Sequence, residues 1–225
     1  MMLEVDFLSG SFEERLRKAI SFAWNVFAKK VGAGIININK EASMQLHYAK
    51  ILTETLPFFT LESNETSHVE LEVGVNVEGK SREIDILVIG TKMDDTFKIA
   101  IEVKCYRKKA SSGGNRGATD IFMKDVYLDL HLLERYCEEQ IANKGVALVM
   151  NDREGFVFPK KKEAKCWTYD ISEGTVVRPK TLTKQVGDTT KPINIVINRQ
   201  YTFRWEKHGS FWFLELEGVM IPHDP

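Results

Sequence analysis

The sequence predicts an α/β domain: a mixed central β-sheet flanked by helices in the order α-β-β-β-α-β, with a helix before this core and a β-rich extension after it. Three observations predict it. Three stretches between residues 68 and 105, "HVELEVGVNVE", "REIDILVIG" and "FKIAIEVKC", alternate apolar and polar residues or run nearly apolar, as strands do. A longer stretch, about 120–142, repeats Phe122, Val126, Leu130, Leu133 and Cys137 at helical spacing. The apolar run "VALVM" (146–150) then reads as a short buried strand, and a helix between two strands favours a right-handed parallel crossover.

The elements follow in order. Residues 11–30 form a helix, with Ser11 and Glu14 at capping-box spacing. Residues 39–56 form a second helix, with Asn39 as its N-cap and Pro57 after its end. In the strand 68–78, strict alternation puts Val69, Leu71, Val73, Val75 and Val77 on one face. Gly79 and Lys80 turn the chain into the strand 82–90, and residues 91–96 turn it into the strand 97–105. A Gly/Ser/basic loop (107–120) leads to the long helix. Beyond the core, 165–171, 193–198, 201–207 and 210–219 read as strands, the last two joined as a hairpin through "KHGS". Residues 1–175 thus make the core with its N-terminal helix, and 176–225 a β-hairpin extension packed on it.

Composition narrows the class. The chain has 225 residues, 43% hydrophobic and 28% charged, which suits one globular domain. No apolar run is long enough to span a bilayer, and the N-terminus has no secretory pattern. Cys105, Cys137 and Cys166 are odd in number and lack CxxC spacing, which argues against a disulfide framework or a zinc site. A cytoplasmic protein is the default. The net charge of -1 does not suggest nucleic-acid binding, but 104–117, 159–165 and 176–184 are locally basic. Such a stripe binds phosphates without a basic pI, although solvated loops explain each patch equally well.

The strand 97–105 poses the functional question. Its polar face carries Glu102 and Lys104 between apolar neighbours, as an exposed ion pair or as an active site. Asp85 stands inside an apolar strand, where a carboxylate is costly unless paired or bound to a cation. Folding the hairpin about Met93 and Asp94 sets Asp85 opposite Glu102, on one face with Lys104. Two opposed carboxylates repel, and a divalent metal turns that repulsion into a site. Oxygen ligands completed by water suit Mg²⁺ or Mn²⁺. Folding the previous turn about Gly79 and Lys80 sets Gly74 opposite Asp85, which would leave room beside the acids. Glu41 begins a helix face continued by Gln45, Tyr48 and Leu52, which should look at the sheet. It is either a third acid of the site or a residue that favours the helix dipole.

"EIDILVI" followed by "IAIEVK", after a helix carrying Glu41 and before a long helix and a strand, resembles the PD-(D/E)xK nuclease superfamily, with its restriction-endonuclease-like core. The resemblance covers residues 39–150 and not the tail. Asp85 matches the motif aspartate, Glu102 the second acid, Lys104 the lysine and Glu41 the helix glutamate. Ile84 stands where the motif name has proline. The resemblance implies a metal-dependent nuclease, an endodeoxyribonuclease acting on DNA, and a homodimer where both strands are cut. Asp85, Glu102 and the Val103 carbonyl would hold Mg²⁺ or Mn²⁺, with Lys104 positioning the water. Arg107, Lys108, Lys109 and Arg116, on a loop that Gly113, Gly114 and Gly117 leave mobile, would contact DNA phosphates. The rival readings are a catalytically inactive nucleic-acid-binding or scaffold domain of a defence or repair complex, and an unrelated α/β domain. Other signals are weak. The five histidines lack ligand spacing, "SSGGNRG" lacks P-loop order, and Ser111 and Ser112 have no evident base. Tyr201, Phe203, Trp205, Phe211, Trp212 and Phe213 would stack on bases or, as hairpin aromatics usually do, fill a core.

Overall fold

The computed structural model describes residues 8–109, 114, 117, 119–187 and 192–221. Its centre is a mixed sheet of six strands. These are β1 (Glu65–Val77), β2 (Lys80–Lys92), β3 (Asp95–Tyr106), β4 (Lys144–Asn151), β9 (Glu206–His208) and β10 (Phe211–Glu217), in the order β1-β2-β3-β4-β10-β9. Four short strands, β5 (Val176–Val177), β6 (Lys180–Leu182), β7 (Ile195–Ile197) and β8 (Tyr201–Thr202), pair outside it as β5-β8 and β6-β7. Among the described strands only β3 and β4 run parallel, and the helix between them, α3 (Thr119–Glu138), makes the crossover that parallel pairing requires.

The sheet is covered on both faces. On one, α1 (Phe12–Gly32) and α2 (Glu41–Thr55) bury Leu16, Ile20, Phe27, Tyr48 and Leu52 against Ile86, Val88, Ile99, Ile101 and Val103. On the other, α3 and the tail bury Val126, Leu130, Tyr136, Phe203 and Leu214 against Leu87, Ala100 and Val149. Strands buried on both faces explain why β2 and β4 read as nearly continuous apolar runs. The C-terminal hairpin belongs to the sheet itself. β10 pairs antiparallel with β4, and Trp24 of α1 meets Phe213 edge-on at 5.5 Å between centroids. At the hairpin turn Gly209 adopts φ 60° against the end of α1, where an added Cβ would stand 2.3 Å from the Gly32 carbonyl oxygen. Only glycine serves both demands.

Several local expectations hold. Ser11 and Glu14 close the capping box of α1, and the β2–β3 hairpin turns at Met93 and Asp94, with Lys92 opposite Asp95 and Ile86 opposite Ile101. Others are corrected. The N-cap of α2 is Lys40, not Asn39, because the Ser43 hydroxyl accepts the N–H groups of both Asn39 and Lys40. Pro57 follows the end of α2 as expected, inside a 3₁₀ turn, Leu56–Phe59. Residues 165–169 form a 3₁₀ helix rather than a strand. Cys137 is only half-buried, and the stripe of α3 runs through the buried Tyr136 instead.

The largest correction concerns β1. Its hairpin turns on Glu78 and Gly79, at φ 52° and 69°, so Val77 faces Lys80 and Gly74 faces Glu83 rather than Asp85. The register places Glu72 across from Asp85, and there the regular pairing is interrupted between Leu71–Ile86 and Val73–Ile84. Glu72 has φ 51°, a left-handed conformation that rotates the strand. Val69 therefore packs with the α1–α2 layer, whereas Val73, Val75 and Val77 pack with the α3 layer. The apolar residues of β1 do not share one face. Among the described residues no helix is long and apolar enough to cross a membrane.

Candidate active site

The site forms where β2 leaves β3. β3 stays paired with β4 from Ile99 to Tyr106, but its ladder with β2 ends at Ile86 and Ile101. From there, every second N–H of β3 faces a gap. Two carboxylates fill it: Val103 N–H donates to Asp85 Oδ2 at 2.7 Å, and Cys105 N–H donates to Glu41 Oε2 at 3.0 Å. A residue's N–H and C=O leave a strand on the same edge, so the Val103 carbonyl also faces this gap. The Asp85 carbonyl, released from the ladder, accepts from Gln45 Nε2 of α2 at 2.8 Å, and the same amide nitrogen reaches Glu72. Gln45 thus holds α2 to the point where the hairpin twists.

Glu102 and Lys104 point to the α3 side. Glu102 is buried, accepts from Tyr136 Oη at 3.1 Å, and lies beside the Asp85 carboxyl, whose charge acts on it. Lys104 does not pair with Glu102. Its Nζ lies 3.3 Å from Glu41 Oε1 and 3.4 Å from Asp129 Oδ2 of α3. The picture of an exposed Glu102–Lys104 pair is therefore wrong. Three acids, Glu41, Asp85 and Asp129, act on one ammonium group, and Glu102 joins the cluster through Asp85 and Asp129.

That imbalance sets the protonation states. Burial first, then the charges of Asp85 and Asp129, push Glu102 well above the usual carboxylate range, and the Tyr136 hydrogen bond only partly opposes them. Burial also raises Asp85, against the Val103 hydrogen bond and Lys104. Asp129 is pushed up to about 8 by burial, with Lys104 pulling the other way. Burial disfavours the Lys104 ammonium, but Asp129, Glu41 and Asp85 more than offset it and hold the lysine charged. Two or three buried acids that cannot all ionise form a site that a cation would stabilise.

Among the described residues no three His, Cys, Asp or Glu side chains converge as a ready cage for a metal. The donors present still fit Mg²⁺, which keeps several waters and needs only one or two carboxylates. Asp85, Glu102 and the Val103 carbonyl are such a set, and all are oxygen. A cleft of about 200 Å³, lined by Glu41, Lys104, Tyr106, Phe122 and Asp125, opens the Glu41–Lys104 end of the site to solvent.

The structure brings Glu41, Asp85, Glu102, Val103 and Lys104 together. Of the predicted basic contacts, Arg107, Lys108 and Lys109 lie among the described residues. Arg107 is engaged internally, with Nε 3.0 Å from Asp152 Oδ2, Nη1 on the Ile38 carbonyl, and its guanidinium over the Phe211 ring. It braces β3 against the segment before α2. Lys108 and Lys109 are exposed. Arg116, Ser111, Ser112, Gly113 and the predicted mobility of their loop lie outside the described residues. Tyr201, Phe203, Trp205, Trp212 and Phe213 are buried, as core aromatics are.

Asp129 and Tyr136 were not singled out by sequence reasoning. A signal for both existed. Asp129 stands three residues after Val126 and four before Leu133, on the apolar stripe of α3, and Tyr136 follows it by two turns. A carboxylate on a buried helical face needs a partner, as Asp85 does on its strand. No protein-family model, no curated protein and no solved structure matches the chain.

Proposed function

We propose that this chain is a metal-dependent phosphodiesterase with a restriction-endonuclease-like core, most simply a PD-(D/E)xK endodeoxyribonuclease that hydrolyses DNA. One observation carries the reading: Glu41, Asp85, Glu102 and Lys104, which lie on three separate elements, meet at the break between β2 and β3. A merely structural cluster would not need four clustered acids with one lysine among them.

Asp85, Glu102 and the Val103 carbonyl would hold Mg²⁺ or Mn²⁺. Such an ion lowers the pKa of a bound water and neutralises charge on the scissile phosphate. The chain's own groups do the rest. Glu41 and Asp129 fix the Lys104 ammonium from two sides, so it enters the reaction oriented and charged. There it orients the attacking water and stabilises the negative charge that grows on the phosphoryl oxygens as the water–phosphorus bond forms and the ester bond breaks. Tyr136 keeps Glu102 turned towards Asp85. A homodimer would supply the two sites needed to cut both strands of a duplex.

A second reading has its own support. Asp85 and Glu41 satisfy the two β3 N–H groups left by the departing strand, a role that needs no turnover. Calorimetric titration of Mn²⁺ separates the two. The nuclease reading expects binding to the wild type and a loss of most of it in Asp85→Asn. No heat with either protein would support an inactive binding or scaffold domain. A screen of plasmid, single-stranded and branched DNA with Mg²⁺ or Mn²⁺ then tests cleavage directly.

A further inference from the structure

A second cleft, of about 600 Å³, lies on the α3 side of the β1–β2 arm, between that arm, α3 and the segment entering β7. Its floor is apolar, from Leu128 and Leu132 of α3 and Ile195 of β7, and its rim carries Lys80, Arg82 and Lys124. Glu78, the acid on its wall, faces His131 Nε2 at 3.7 Å. Among the described residues neither Lys80 nor Arg82 has an acidic partner, although Arg82 is half-buried. Half-burying an unpaired guanidinium costs free energy unless an anion completes it.

The cleft is tied to the carboxylate site by shared elements. Lys80 and Arg82 stand on the strand that carries Asp85, and Lys124 on the helix that carries Asp129. The two clefts meet at the start of α3, where Lys124 on one side pairs with Asp125 on the other at 2.8 Å. The sign of charge reverses between them: acids hold the reactive end and cations the approach. A polyanion that presents one phosphate to the acids needs cations under its neighbouring phosphates.

We propose that this cleft binds a single strand of the substrate nucleic acid beside the scissile phosphate. Lys80, Arg82 and Lys124 take its phosphates, and sugars and bases lie on the Leu128, Leu132 and Ile195 floor. The identity of the anion rests on the nuclease reading of the carboxylate site. The strand's phosphates could also be imitated by a free nucleotide, and the test separates the two sources.

The experiment is anisotropy of a labelled single-stranded oligonucleotide, in EDTA and over a salt series. The wild type is compared with Lys80→Ala/Arg82→Ala and with a control on another basic surface, Lys160→Ala/Lys161→Ala. Removing two phosphate contacts should weaken binding about tenfold and reduce the slope of log K against log salt by about 1.4. The control should match the wild type, and KM for cleavage should rise in the cleft variant more than kcat falls. An unchanged slope, or an equal loss in the control, overturns the cleft. A nucleoside monophosphate that binds as tightly as the oligonucleotide, with the same loss in the variant, makes the occupant a free nucleotide and overturns the strand. Oligonucleotide binding that depends on Lys80 and Arg82, with no cleavage under Mg²⁺ or Mn²⁺, keeps the cleft and removes the nuclease reading. Cleavage that requires Asp85, with binding indifferent to Lys80 and Arg82, removes the cleft alone.

Discussion

Arg15 and Glu65 bury one positive and one negative charge; Lys104 and its neighbours bury one positive charge among several negative ones. In the first group every polar atom is answered. Arg15 Nη2 meets both Glu65 oxygens at 2.6 Å, Nε donates to the Phe59 carbonyl at 3.1 Å and Nη1 to the Gly10 carbonyl at 3.0 Å. Glu65 also accepts from the N–H groups of Leu61 and Glu62. Burial alone would raise this acid, yet Arg15 and these N–H groups hold it at about 2. The second group has acids raised by burial and by one another's charge. A buried charge that serves the fold is matched. In the Lys104 cluster the acids outnumber the cation, the imbalance on which the proposed metal site rests.

The sharpest break in that contrast is Glu65→Ala. It strands a buried guanidinium and should cost about 3–5 kcal/mol of stability. Chemical denaturation measures this, and a loss under 1 kcal/mol would place the pair with the surface ion pairs. The wild-type pair also fixes a pH dependence. Glu65 is depressed from 4.5 to about 2, so its contribution is complete above pH 4.5 and disappears as pH falls through the folded value. Urea midpoints measured from pH 5 to pH 2 should therefore decline for the wild type more steeply than for Glu65→Gln.

Next in size is Lys104→Ala. In the unmatched group the loss should fall on the reaction, about 2.7–4 kcal/mol of transition-state stabilisation, or roughly 10²–10³ in kcat. The fold and Mn²⁺ binding should survive, because Asp85 and Glu102 remain. Full cleavage by this variant would remove the lysine from the mechanism. The smallest effect is expected from Asp129→Asn. Lys104 keeps Glu41, and one buried acid of several is lost, so the melting free energy should change by about 1 kcal/mol or less. A penalty as large as that of Glu65→Ala would mean that the cluster is a structural network after all.

How much of this was legible in the sequence depends on where local chemistry decides. The capping box of α1 and the Met93–Asp94 turn are local devices, and the β2–β3 register followed from the turn. That register was enough to set Asp85 beside Glu102. The β1–β2 register slipped by two because the turn was centred on Gly79–Lys80. A two-residue turn with both φ values positive places its glycine second, which selects Glu78–Gly79. The change of face at Glu72 left no local mark, since a glutamate rarely takes φ 51°; tertiary packing imposes it. Arg107 looked like a loop cation because Asp152, its partner, lies 45 residues away at the end of β4. Asp129 was readable, but a helical stripe was counted by its apolar members and not by its exception.

The twist at Glu72 has a consequence for how the molecule comes apart. β1 packs Val69 in the α1–α2 layer and Val73, Val75 and Val77 in the α3 layer, while β2 alternates between the layers, with Ile86 and Val88 in the first and Leu87 and Ile89 in the second. The two layers therefore share the strands of one sheet. Opening either layer exposes residues of β1 and β2 that the other layer also holds. Amide protons of Val69 and Val75, which lie in different layers, should accordingly exchange with similar free energies, through one cooperative opening rather than two.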